Sequence, residues 1–282
     1  METIFDAYCF ILFLRFIIPF TGQMYFNPAF GFLVKITDPV IRFVRHMLFN
    51  RLSRLVPLFA MIVVFLLKIL WLIAEMKTVA YSGGRLSVAA VITRGFNGAV
   101  SFFFVIYFAS SALYCIESFR NAYDNISRIL KDLIQPITRI SGRYFEKDFG
   151  KAVSAFLSVF VIFFIFKLLI INSFFSFETG KFAFNAASVY GALISTIADI
   201  IKIFRIYTAL IFIRIIVSWF IVSYQNLLFA FVFNVTEPYL SIFRKSGLSA
   251  GPIDFSPMIA IFVIWIITGL LQKLMLLAHG VI

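Results

Sequence analysis

Long apolar runs alternate along this chain with stretches in which charged and apolar residues trade places every three or four positions. Six runs are long enough, or nearly so, to cross a bilayer: Ile4 to Phe20, Leu55 to Ala74, Gly98 to Ile116, Ala152 to Ile171, Ile206 to Val222, and Pro257 to about Leu277. A hydrocarbon core about 30 Å thick takes about 20 residues at 1.5 Å each. The runs are unbroken by the period-two alternation of barrel strands, so each is expected to be a helix. Asp6 and Arg15 interrupt the first, and Gln272 and Lys273 the last.

After the first, third and fifth runs comes a segment of amphipathic helical rhythm. In the first, Lys35, Asp38, Arg42 and Arg45 oppose Leu33, Ile36, Val40, Phe43 and Met47. In the second, Arg128, Lys131, Gln135 and Arg139 oppose Ile126, Leu130, Leu133 and Ile137; in the third, Asn234, Glu237, Ser241 and Lys245 oppose the apolar stretch from Leu227 to Phe233. Such a helix either lies on the bilayer surface or packs against a soluble partner. The two flanking spans favour the surface. Each helix contains a proline, Pro39, Pro136 or Pro238, spaced 97 and 102 residues apart. An interior proline deletes a hydrogen bond and clashes with the preceding turn, so a bend is expected, with Thr37 or Asp38 and Thr236 capping the second piece. The fold class is therefore an all-α polytopic membrane protein of six transmembrane helices. They form three parallel repeats of span, proline-bent amphipathic interfacial helix, span, over residues 1–80, 81–180 and 181–282. The segment from Phe182 to Ile201 is either surface-bound or continuous with the following span.

Aligned on the prolines, the outer repeats share more than hydropathy. Arg15 and Arg214 each lie 24 residues before their proline, Asn27 and Asn226 twelve before, and Thr37-Asp38-Pro39 matches Thr236-Glu237-Pro238. At the corresponding places the middle repeat has Ala112 and Gln135. A guanidinium in mid-span costs about 2.5 to 3.5 kcal/mol on insertion scales, so Arg15 and Arg214 need an escape or a partner. Snorkelling to the headgroups is one solution, and pairing Arg15 with Asp38 and Arg214 with Glu237 is the other. Lys68 and Lys167 lie near enough to run ends to snorkel.

Composition narrows the class. The chain has 282 residues, 62% of them hydrophobic and 13% charged, too little polar surface for a water-surrounded globule. Cys9 and Cys115 sit in apolar runs and make no disulfide framework. The net charge of +12 is read as a cytoplasmic face and anionic headgroups rather than nucleic acid. The N-terminus lacks the basic region and cleavage site of a signal peptide, so the first span is expected to be retained. The three loops inside the repeats contain five, seven and two Lys or Arg. The loops between repeats hold fewer, chiefly Lys77, Arg85 and Arg94, then Lys181, Lys202 and Arg205. The interfacial helices are thus expected to face the cytoplasm and both termini the outside.

No Walker loop, GxGxxG, HExxH or CxxC occurs, and neither catalysis, a cofactor nor a metal is expected; His46 and His279 are read as surface side chains.

The last repeat resembles the YggT family, also called YlmG-like. The likeness is carried by Phe212-Ile213-Arg214-Ile215-Ile216-Val217-Ser218-Trp219, Asn226, Thr236-Glu237-Pro238-Tyr239-Leu240, and Asp254-Phe255-Ser256-Pro257 before a final span. The first repeat looks like a weaker copy, with Leu14-Arg15-Phe16, Asn27-Pro28, Thr37-Asp38-Pro39 and Pro57; the middle one shares only Pro136, Arg139 and the layout. The resemblance implies a small integral protein of bacterial plasma membranes or plastids, associated with cell division or envelope organisation, assembly of membrane complexes, or osmotic and ion homeostasis. Two functions stay open: a non-catalytic organiser or assembly factor in the inner membrane, touching lipids and other membrane proteins, or an ion or small-solute channel or transporter.

Overall fold

The computed structural model describes residues 2–17, 28–47, 55–81, 88–116, 125–143, 145, 148–179, 186–218, 227–244, 249–250, 253–254 and 256–279. In chain order they form α1 (Glu2–Ile17), α2 (Pro28–Met47), α3 (Val56–Tyr81), α4 (Val88–Tyr114), α5 (Asn125–Ser141), α6 (Asp148–Thr179), α7 (Ala186–Ser218) and α8 (Leu227–Arg244). A short antiparallel ribbon, β1 (Ser249–Ala250) with β2 (Ile253–Asp254), then precedes α9 (Ser256–His279) and pairs Ser249 with Asp254. Contacts divide the chain into two compact units, Met1–Phe103 with Ile165–Val189, and Phe104–Phe164 with Tyr190–Ile282.

Among the described residues, four helices are long and apolar enough to cross a membrane: Val56–Glu75, Val88–Tyr114, Phe149–Phe174 and Ser256–Leu277. Their outward surfaces are greasy. Leu70 is 61% exposed, Phe166 53% and Phe262 60%, which water would not tolerate and lipid does. This is a membrane protein. Of the two other expected spans, the first corresponds to the 16 residues of α1. The fifth was expected to start at Ile206, but α7 begins twenty residues earlier and runs 33 residues, about 50 Å, to Ser218. Residues 186–201 are therefore continuous with that helix. Lys202 and Arg205, counted above among the loop residues, lie inside it.

The three proline helices are not broken in two. Pro39, Pro136 and Pro238 lie inside α2, α5 and α8, each a single helix. Thr37 and Thr236 do not cap a second piece; their hydroxyls donate back to the carbonyls of Val34 (3.2 Å) and Val232 (2.6 Å) in the preceding turn. That back-bonding bends a helix without ending it.

The packing of these helices also departs from the expected two faces. In α2 the fully buried line is Thr37, Ile41 and Val44, while Phe43, expected among the apolar contacts, stands 59% exposed. Ile140 in α5 and Ile242 in α8 do the same, 60% and 61% exposed. All three lie four residues after their proline. At 100° per residue, α2 therefore has three sectors, one buried, one charged and one bearing exposed Phe43, whereas exposed Ile140 and Ile242 stand two turns beyond buried Leu133 and Val235 on the same side of α5 and α8.

Within the first unit, Leu12 of α1, Ile41 of α2, and Ala60 and Val64 of α3 meet in one core. Within the second, Ile211 of α7, Leu240 of α8, and Ala260 and Ile264 of α9 do the same. The positions correspond: Leu12 and Ile211 lie 27 residues before their prolines, Ile41 and Leu240 two after. Ala60 and Ala260 follow Pro57 and Pro257 by three.

Candidate functional site: a clamp around each outer proline

In the first unit the Arg15 guanidinium crosses from α1 to α2. Its Nη1 donates to the Val34 carbonyl (3.3 Å) and to the Thr37 hydroxyl, and lies 2.7 Å from Asp38 Oδ1. The Tyr8 hydroxyl, two turns away on α1, donates to the Ile36 carbonyl (3.0 Å). In the second unit, Arg214 Nη1 of α7 donates to the Phe233 carbonyl (3.5 Å) and the Thr236 hydroxyl (2.9 Å), while its Nη2 pairs with Glu237. Arg214 also lies 4.6 Å over the Phe233 ring, and the Tyr207 hydroxyl donates to the Val235 carbonyl (3.1 Å). Arginine, threonine, acid, tyrosine and proline thus meet twice in one arrangement.

The arrangement follows from what proline does to a helix. Lacking an N–H, it leaves the carbonyl four residues back without its usual donor, and its ring pushes that turn open. In apolar surroundings loosened carbonyls must be satisfied by other donors. Here the donors bracket the gap, Arg at the carbonyl five residues before proline and Tyr at the one three before. Snorkelling does not describe either arginine: Arg214 is 6% exposed, and the Arg15 side chain 14%.

Each clamp acid also holds a second cation on the outer side, Asp38 with Arg42 (3.3 Å) and Glu237 with Arg244 (2.8 Å). Burial alone would raise the Asp38 carboxyl, but its bonds and proximity to Arg15 and Arg42 outweigh this and hold it below the usual carboxylate range. Tyr8 and Tyr207 were missed by the sequence reading. Both lie 31 residues before their proline, and that shared offset was the available signal.

Pro136 is exposed on α5, beside an exposed Gln135. The positions matching the clamp arginine and tyrosine are Ala112 and Val105, so α5 lacks these groups. Aromatic packing joins α4 to α6, Phe108 against Phe156 (4.6 Å) and Phe104 against Phe163 (5.7 Å), and Ser154 of α6 donates to Ser141 of α5 (3.3 Å). Ser256 is fully buried as the first residue of α9, and Pro257 sits in the first turn, where a missing N–H costs nothing. Asp254 contributes its backbone to the ribbon. Asn27 and Asn226 lie outside the described residues.

A second polar cluster was read wrongly from the sequence. Lys68 does not snorkel: it is fully buried, 2.6 Å from Asp6 Oδ1, and donates to the Gly95 carbonyl (3.0 Å). Arg94 of α4, expected in a loop, pairs with Glu2 (2.6 Å) one turn along α1. Gly98 leaves room for this group, since a Cβ there would stand 3.2 Å from Lys68 Nζ; on Gly95 it would collide with Ile69. Lys167 is likewise fully buried, in α6. Among the described residues no cluster of His, Cys, Asp and Glu could hold a metal ion.

Fold and clamp together define a helical membrane protein in which two proline-containing helices are each fastened to a neighbouring helix through a buried arginine. Residues 194–275, from within α7 to near the end of α9, match the CCB3/YggT family model. The match starts twenty residues before Arg214, in agreement with the early start of α7. The chain matches no curated protein and no solved structure.

Proposed function

We propose that this chain is a non-catalytic organiser or assembly factor of a bacterial plasma membrane. In this reading it crosses the membrane six times as three successive hairpins, with the proline helices on the cytoplasmic side. The observation that carries the proposal is the saturation of both clamps. Guanidinium, hydroxyl, carboxylate and phenol bind one another and the backbone, an arrangement that stiffens a surface and does not prepare a nucleophile, a base or a metal site. The Asp6–Lys68 pair supports the same reading, because it is closed on itself rather than turned toward a water-filled path. Lys202 and Arg205 lie inside α7, which leaves the loops between hairpins poorer still in basic residues and favours the cytoplasmic placement.

Exchanging the clamp charges tests the proposal. Arg214→Glu and Glu237→Arg singly should each lose recovery of the native complex in mild detergent, and the double exchange should restore it, with purified protein in liposomes passing no ions throughout. Flux that vanishes in Arg214→Ala would overturn the organiser.

A further inference from the structure

The clamp arginines set a depth scale. Arg205 lies nine residues before Arg214 on α7, about 13 to 14 Å further along the helix, close to half of a 30 Å core. Its neighbours agree, for Arg205 and Thr208 line a notch of about 180 Å³ together with Trp265 and Thr268 of α9. Those two are the tenth and thirteenth residues of the 22-residue span Ser256–Leu277, at its middle. Arg205 is exposed on this face, Trp265 is 66% exposed, and Arg205 has no ion pair or hydrogen bond among the described residues. A guanidinium facing hydrocarbon at that depth is unstable unless protein covers it.

The first unit shows what the same place looks like when covered. Asp6 and Arg205 each lie 33 residues before their proline, and Lys68 and Thr268 each lie eleven after Pro57 and Pro257. Over Asp6 and Lys68 sits a further helix, α4, with the Gly95 carbonyl bonded to Lys68 and Arg94 bonded to Glu2. This face of such a hairpin is thus a seat for a helix. In α7 and α9 the seat keeps one cation and lacks the acid.

We propose that the Arg205–Thr268 notch receives a transmembrane helix of a partner protein that carries a carboxylate at mid-membrane. Charge complementarity selects an acid, the apolar surroundings require the rest of the occupant to be greasy, and the notch has room for a short side chain. The proposal rests on the assembly-factor reading and adds to it a surface and a chemistry.

The test needs no native partner. Full-length protein is reconstituted in phosphatidylcholine vesicles with fluorescent polyleucine helices bearing one central Glu, Gln or Leu, and association is read by energy transfer. The Glu helix should associate about three- to tenfold more strongly than the Leu helix, the range expected of one interhelical polar contact. Arg205→Leu should abolish that preference, Thr268→Leu, which fills the notch and leaves the charge, should weaken it, and Arg205→Glu should transfer it to a Lys-centred helix. Equal association of all three helices, or a Glu preference that survives Arg205→Leu, would overturn the proposal. So would Arg205-dependent association between two copies of the chain without Glu-helix binding, or a preference that follows added phosphatidylglycerol. Circular dichroism and thermal unfolding of the variants show that they fold. Loss of the native complex with the Glu preference intact would count against the organiser alone.

Discussion

A charge below the headgroups survives by reaching the surface, by meeting an opposite charge, or by collecting carbonyls. Lys68 uses the last two, and Arg15 and Arg214 use both with a threonine added. Removing one member of the buried Asp6–Lys68 pair should therefore cost more than removing both. Asp6→Ala leaves an ammonium fully enclosed and is expected to lose about 3 to 5 kcal/mol, while Asp6→Leu with Lys68→Leu should come out near neutral or better. Thermal unfolding in detergent ranks them, and a double variant as unstable as the single would contradict the pairing. Asp38 makes a pH prediction. Its carboxyl titrates below the ordinary value of about 3.9, so its charged form stabilises the clamp above that pH, and the contribution is lost as pH falls through the lowered folded value. A cysteine placed at buried Val44, labelled with a dipyridyl disulfide and referred at each pH to a free thiol, whose own rate follows its thiolate fraction, should keep a constant low relative rate down to about pH 4 and a higher one only below it. In Asp38→Asn the relative rate should be higher and constant; a rise in the relative rate of the unsubstituted clamp near neutrality would contradict the assignment.

Much at the level of elements was legible in the chain. Spans declare themselves by length and greasiness, and the paired offsets of Arg15 and Arg214 pointed to Asp38 and Glu237 before any geometry. Other features had no local signature. A phenol such as Tyr8 or Tyr207 reads as one more aromatic in an apolar run, and Lys68 and Asp6 are 62 residues apart, beyond any periodicity rule. Lys202 and Arg205 were counted in a loop although they lie inside α7, because a tertiary environment that tolerates charge is invisible to hydropathy. Local propensity pointed to a break at each proline, yet all three helices run through theirs, the outer two with donors from a neighbouring helix at the loosened turn. The exposed Phe43, Ile140 and Ile242 carry the prediction at this scale. If their sector dips into the bilayer, tryptophan at each position should be quenched strongly by shallowly brominated lipid and weakly by aqueous acrylamide. The reverse order would place these helices in water.

For the whole molecule, the account requires successive hairpins to begin on one side of the membrane, so that α2, α5 and α8 share a leaflet. The residues that report this are exposed ones on the charged sectors, Arg42, Arg139 and Arg244. Each is replaced singly by cysteine in a protein otherwise free of cysteine, and a membrane-impermeant maleimide is applied to sealed vesicles of either orientation. All three positions should react in inverted vesicles and none in right-side-out ones. Any one of them reacting from the opposite side to the other two would contradict the arrangement.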